Sequence, residues 1–423
     1  MTRFAILPVV CALALPLHAQ STLASRIAQV KDGTVRMEYA ARPGACGNGK
    51  DMVGYRHAMF ARSYEGWGTW NGVSCNAGPL RVTLSIVNGV PTSARTQIGG
   101  AWPPTEERVT DLGTVDSRQA GAYFFSIVPR LEETPARDRI LLPAVLAADA
   151  PAVAPLTTIA RDAARTDRTR RQAVQWLGLV GDASVIPTLV AFARQPDFAE
   201  KKSVGGAALS ALAYLEDGVG TPALLELSHE QAVPLRKESM FWLGQSGDPR
   251  AVRRLHDVIG DSSEDMTVRA HAIFSLANGE SADAKAFQYL RTSFAKLNGE
   301  KLKDAVLQAE SQDDVNGGKW LIERARDANE STETRKKALF WAGQREATST
   351  SDLVSVYRDA GDDTLREHAI FVLSQRQDDG ATDALMKIAR DDNEKRMRGK
   401  ALFWLAQKHD PRVTKMISDI LVK

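Results

Sequence analysis

The sequence predicts a mainly α protein, a right-handed superhelical stack of helix pairs preceded by a small α+β domain. Three observations predict it. A small residue recurs every 31 to 35 residues along the last two-thirds of the chain: Ala173, Ala208, Ser239, Ala272, Ala305, Ala338, Ala369 and Ala401. The positions one and four residues after it are apolar in all eight copies. Residues 20–102 lack this pattern and carry β-prone runs, clustered glycine and aromatics, and two cysteines. A fixed period near 33 residues is the mark of stacked supersecondary units, none of which can bury its own apolar face.

The chain has 423 residues, enough for two or three domains. Its net charge of +2 gives no support for nucleic acid or an anionic membrane surface, which call for a strongly basic face.

The first residues read as a secretory signal at 1–19. Arg3 supplies a positive start, residues 4–17 an apolar run, and Leu17-His18-Ala19 a cleavage site before Gln20. The run is short of the roughly 20 residues a membrane span needs, which disfavours an anchor. Cys11 lies inside the run, not at a lipoprotein box. The chain is therefore expected to be exported, periplasmic or secreted, with no integral membrane segment after cleavage. Cys46 and Cys75 then remain as an even pair. In an oxidising compartment such a pair is expected to form a disulfide; a redox or metal pair is the alternative, without a CxxC or a His/Cys cluster to support it.

Residues 20–102 form the predicted α+β domain. A helix is expected over 22–30 and strands over 34–39 and 80–87, the second ending in the hairpin signal Asn88-Gly89. Residues 103–154 are expected to connect this domain to the array and cap it, through a helix over 116–131 started by Asp116-Ser117, a helix over 139–148 and an Ala/Pro-rich linker over 149–155. The array occupies 155–423. Each unit has a helix B carrying the recurring small residue and an amphipathic helix A, for example 185–194, 251–259, 353–359 and 413–422. Asp182, Asp248 and Asp410 stand where helix caps belong, and Pro411 suits a first helical turn.

With the small residue as position 0, position +1 is Val174, Leu209, Met240, Ile273, Val306, Leu339, Ile370 and Leu402. Position +4 is Leu177, Leu212, Leu243, Leu276, Ala309, Ala342, Leu373 and Leu405. These share one broad face, expected to be buried. Position −3 is Arg170, Arg236, Arg269, Arg335, Arg366 and Arg398; Gly205 and Leu302 depart from it.

An Arg, a small residue three later, then Leu-Gly, as in Arg170…Ala173…Leu177-Gly178 and Arg236…Ser239…Leu243-Gly244, resembles the HEAT-like repeats of the phycobilin-lyase type. The resemblance covers about 155–423. It implies an α-solenoid in which the arginines link units through hydrogen bonds to acidic groups. It implies little about activity, because solenoids of this kind serve many roles.

The candidate site lies on the other side of helix B. Position +2, about 200° around the helix, carries Phe241, Phe274, Phe340, Phe371 and Phe403. Position +6 carries Gln245, Asn278, Gln344, Gln375 and Gln407, and position −1 carries Glu238, His271, Lys337, His368 and Lys400. Stacking would align them as a Phe ridge beside an amide row on the concave face. Such a surface suits a protein or peptide partner, with a glycan as a further occupant. The competing expectation is that the rings fold onto adjacent helices. Trp242, Trp341 and Trp404 at +3 are read as core or stacking residues.

The run 44–51, Gly-Ala-Cys-Gly-Asn-Gly-Lys-Asp, approaches a phosphate-binding loop, but Asp51 replaces the hydroxyl that holds Mg²⁺. It is read as a turn beside the disulfide. No GxSxG or HExxH motif occurs; His57 stands alone, and His271 and His368 lie in different units. No catalytic residue, metal or cofactor is expected. The reading is an exported binding scaffold. The alternative is an envelope enzyme or glycan-binding protein whose N-terminal domain uses Trp67, Trp70 and Trp102.

Overall fold

The computed structural model describes residues 22–56, 58–61, 64–67, 75–104, 108–133, 139–195, 198, 203–408 and 410–421. The signal segment 1–19, His57 and Trp70, and the side chain of Trp67, lie outside the described residues. The chain divides into two compact units, Met1–Val180 and Gly181–Lys423.

The first unit opens with α1 (Leu23–Ala28), where the Thr22 hydroxyl accepts the Ser25 N–H. Among the described residues eight strands follow: β1 (Gly33–Tyr39), β2 (Ala45–Gly47), β3 (Val53–Tyr55), β4 (Ala58–Ala61), β5 (Tyr64–Trp67), β6 (Leu80–Val87), β7 (Val90–Ile98) and β8 (Val109–Thr114). They form two four-stranded sheets, ordered β7-β6-β1-β8 and β2-β3-β4-β5. The β6–β7 hairpin turns at Asn88-Gly89, both at positive φ (52° and 74°), the backbone that selects Asn-Gly. Along β6 buried and half-buried residues alternate through Leu80, Val82, Leu84 and Ile86. Helix α2 (Ser117–Leu131), capped by Asp116, buries Phe124, Ile127, Val128 and Leu131. The Phe124 ring lies 6.4 Å from that of Tyr39 on β1.

Three expectations fail here. Strand β8 pairs parallel to β1, so the sheet takes in part of the 103–154 stretch read as connecting helices. The helix expected over 139–148 shrinks to α3 (Leu142–Val145). Arg139 and Asp149 sit at positive φ, Ala147 bridges to Ala41, and the Ala148 N–H donates to the Ala40 carbonyl. Residues 140–147 are all buried. An apolar run buried on every side carries no period to distinguish helix from strand edge. The expected linker is also shorter, because α4 (Val153–Arg161) begins within it.

Helix α4 and α5 (Asp167–Val180) form the first A–B pair, within this unit. The α5 ring of Trp176 lies 6.1 Å from Tyr55 on β3. The Cys46–Cys75 disulfide joins β2 to the chain before β6. In the neighbouring turn the Asn48 side-chain oxygen accepts the N–H groups of Lys50, Asp51 and Met52 at 3.0, 3.2 and 3.0 Å. Gly44 and Gly49 take positive φ. The near-P-loop run is a self-satisfied turn.

The second unit is the array. Its A helices are α6 (Ile186–Ala193), α8 (Thr221–Leu227), α10 (Pro249–Gly260), α12 (Ala284–Phe294), α14 (Gly317–Arg326), α16 (Thr350–Asp359), α18 (Asp379–Asp391) and α20 (Pro411–Leu421). Its B helices are α7 (Gly205–Tyr214), α9 (Val233–Gly244), α11 (Met266–Ala277), α13 (Glu300–Glu310), α15 (Thr332–Gly343), α17 (Asp363–Gln375) and α19 (Lys395–Leu405). Successive B helices touch, and each B packs on the A helix before it. Asp248 and Asp410 cap as expected, accepting the N–H groups of Arg250 and Arg412. The +4 residues are buried in every copy, and so are the +1 residues except half-buried Leu402. The chain is thus a HEAT-like α-solenoid preceded by a small disulfide-linked α+β domain.

The arginine row acts mainly inside its own repeat. The Arg170, Arg269 and Arg335 guanidinium groups donate to the carbonyls of Ala160, Ile259 and Ala325, in the last turn of the preceding A helix. Arg236 and Arg398 donate to loop carbonyls just beyond it. A cation here satisfies orphan carbonyls at the negative helix end. The expected acidic link to the next repeat is present at Arg236, 2.8 Å from Glu264, and at Arg366, 2.7 Å from Asp392.

The Leu-Gly of the motif has a steric cause. A Cβ on Gly244 would overlap the Ser275 carbonyl oxygen on α11. Gly244→Ala should therefore lower stability by about 2 kcal/mol, despite alanine's better helix propensity. Denaturant unfolding followed by circular dichroism checks this; an unchanged midpoint would show that α9 and α11 can separate freely.

Candidate functional site

The predicted ridge residues do lie along successive B helices, but not as five free rings. Phe274 is 38% exposed and Phe403 59% exposed; Phe241, Phe340 and Phe371 are half-buried. The half-buried rings lean on neighbours. Phe371 reaches across to Trp404 on α19 at 5.4 Å, and Phe241 to His271 on α11 at 6.4 Å. Phe340 stands edge-on to Trp341 at 5.2 Å. Trp242 and Trp404 stack in the same layer, Trp242 against Tyr214 of α7 at 5.4 Å. The face is an aromatic layer, stabilised ring to ring, with Phe274 and Phe403 standing out of it. Edge-to-face pairs of this kind contribute roughly 0.5–1.5 kcal/mol beyond their buried area.

The amide row is partly engaged with the backbone. The Gln245 side chain donates to the Asn278 carbonyl at 3.2 Å, Asn278 to its own helix at Phe274, and Gln407 to Phe403. Gln375 donates to the Ser374 hydroxyl. Gln344 is exposed. The two histidines of the −1 row are half-buried beside the rings: His271 stacks on Phe274 at 5.6 Å, and His368 lies 5.6 Å from Phe371. Burial, and then nearby Lys237, push the His271 imidazole down to about 4. Burial and Lys336 lower His368. Both present neutral rings at neutral pH.

Helix α13 corrects the sequence register. With Ala305 as position 0, Leu302 replaced the arginine. In the structure Ala305 is half-buried, while Val306, Leu307 and Glu310 are buried. Val306 therefore occupies position 0 and Leu307 position +1. Position −3 becomes Lys303, a cation whose ammonium lies 2.5 Å from Glu330. Position +2 becomes Gln308, so the ridge lacks a ring there, and position +6 becomes Gln312, which continues the amide row. Position +4, Leu or Ala elsewhere, becomes Glu310. It is fully buried and held by Arg291 of α12 at 2.7 Å, with Asp313 on the same guanidinium.

Beside this break lies a cavity of about 450 Å³ between α11 and α13, which sequence reasoning missed. Lys237, His271, Phe274, Asn278, Lys301 and Gln308 are among its walls. Asp304, also in the wall, accepts the Trp341 indole N–H at 3.0 Å and lies 3.4 Å from Lys337. In the first unit Trp102 is not an open wall: Arg36 and Arg81 sit over its ring at 5.5 and 5.3 Å. Among the described residues no group of three or more His, Cys, Asp or Glu is placed to hold a metal. No described helix is long and apolar enough to cross a membrane.

Comparison with known proteins agrees with the class this geometry defines. The sequence model of the PBS lyase HEAT-like repeat matches residues 235–261, which span α9 and α10. The chain is a HEAT-like repeat protein. Among solved structures it is similar to the complex of CpcE and CpcF of phycocyanin lyase from Nostoc sp. PCC7120, at 16% identity and a TM-score of 0.29, over 55% of this chain and 92% of that one. It is similar to human deoxyhypusine hydroxylase in complex with glycerol at 18% identity and a TM-score of 0.26, over 69% and 96%. An engineered protein aligns at 17% identity and a TM-score of 0.22, over 64% and 97%. No curated protein matches the chain.

Proposed function

We propose that this chain is an exported scaffold whose B-helix face binds a protein or peptide segment. The observation that carries the reading is the aromatic layer at one helical position of α9, α11, α15, α17 and α19, from which Phe274 and Phe403 project into solvent. Aromatic anchors flanked by amide hydrogen-bonding groups are the composition of interaction surfaces. The Cys46–Cys75 disulfide supports export, because such bonds persist in oxidising compartments.

The test compares the intact protein with its Phe274→Ser/Phe403→Ser variant as bait for envelope extracts. Proteins captured by the parent should fall about tenfold in the variant, with far-UV circular dichroism unchanged. Equal capture by both would remove this face from the function. Export is tested by the mass of the mature protein in cells, expected to begin at Gln20; an intact Met1 start in the cytosol would overturn it.

A further inference from the structure

We infer that the cavity between α11 and α13 is a subsite for an acidic residue of an extended peptide. The inference rests on the binding reading above and gives it a chemistry.

The cavity exists because of the register of α13. In α9, α11, α15, α17 and α19 position +2 carries a phenylalanine. In α13 that position is Gln308, and position −1 is Ala305 in place of a charged residue or histidine. Removing one ring and one long side chain from a close-packed row leaves a space that its neighbours do not refill. At about 450 Å³ it falls within the usual range for ligand pockets, about 300–1,000 Å³. It is too small for a folded element and large enough for a side chain with its flanking backbone.

The charges in its wall are unbalanced. Asp304 is already engaged by Trp341 and Lys337. Lys237, from α9, and Lys301, from α13, have no carboxylate within 4 Å among the described residues, and both line the cavity. An entering carboxylate would meet two lysine side chains, one from α9 and one from α13. Gln308 and Gln312 offer amide N–H donors beside them, and Phe274, stacked on His271, offers an apolar wall. A basic occupant would meet two like charges, and a purely apolar one would leave both lysines to be desolvated without a partner. Ion pairs in a partly enclosed notch are screened less than on open surface.

The experiment selects displayed random heptapeptides on the immobilised full-length protein, then measures the selected peptide by fluorescence anisotropy. We expect enrichment of Asp or Glu next to an aromatic or aliphatic residue. Lys237→Glu/Lys301→Glu should weaken binding at least tenfold, as should Asp→Asn or Glu→Gln in the peptide. Gln308→Phe, which fills the notch, should do the same; the lysine pair keeps the test decisive if that variant folds poorly. Basic or uncharged selected peptides, or an affinity indifferent to the lysine reversal, would overturn the subsite. A sulfated oligosaccharide that displaces the peptide and binds more tightly would also overturn it in favour of a glycan. If selected peptides bind through Phe403 but ignore Lys237, Lys301 and Gln308, the subsite alone fails. If no peptide is enriched over a blank surface, the binding reading fails with it.

Discussion

Replacing Glu310 with alanine should destabilise the array by about 1–3 kcal/mol, the usual cost of leaving a buried hydrogen-bonding partner unsatisfied. The Glu310 side chain is 0% exposed and Arg291, 2.7 Å away, is 21% exposed. Removing the carboxylate leaves that guanidinium with Asp313 alone. Replacing the whole cluster, as Arg291→Leu/Glu310→Leu/Asp313→Asn, removes all three charges, restores the apolar +4 pattern and should recover most of that loss. Urea unfolding of the three proteins checks this. A triple variant as unstable as the single would mean that the cluster is needed for packing rather than charge balance.

The same residue gives a pH signature. Burial pushes the Glu310 carboxyl up to about 7 from its ordinary 4.5, against the opposing pull of Arg291. The folded state then holds a proton that the unfolded state has released. Glu310 therefore favours folding at low pH, and its contribution declines as pH rises from 4.5 toward 7. Glu310→Gln cannot lose that proton. Its stability relative to the parent should rise across this window and level off above it. A pH-independent difference would place the carboxyl's ionisation elsewhere.

The second large effect concerns the first unit. Cys75→Ser should remove about 3 kcal/mol from its stability, because the Cys46–Cys75 bond closes a loop over a sequence separation of 29. Strand β2 carries Cys46, and β3 lies inside that loop. Their amide hydrogen exchange should accelerate by about two orders of magnitude, while the helices of the second unit keep their rates. Unchanged exchange in β2 and β3 would show that the sheet holds without the bond.

Most of the array was legible because a repeat states its pattern several times. Outside α13, positions +1 and +4 are apolar in every copy, and only Leu402 among them falls short of full burial. The sheet was legible where alternation is strict, as in β6, and where Asn-Gly demands positive φ. The 139–148 segment was illegible because burial on all sides erases period. The slip at α13 had a different cause. Residues 305, 306 and 309 satisfy the apolar template with Ala305 as zero, so the wrong register carried no apolar penalty. The signal that could have corrected it was Lys303, which restores a cation at −3 once Val306 is taken as zero. With that slip went Gln308, Glu310 and the cavity. The fate of the phenylalanines was beyond sequence for a third reason: a ring at about 200° from the core can face solvent or lie on the next helix, and the choice depends on neighbours such as Trp404.

The missing ring at Gln308 also bears on degeneracy. A track of identical teeth cannot fix the phase of what lies along it. A strand of ligand could advance by one helix spacing, about 10 Å, and find the same surroundings. One irregular tooth abolishes that translational equivalence. For an extended guest the row then distinguishes one alignment from those shifted by a helix.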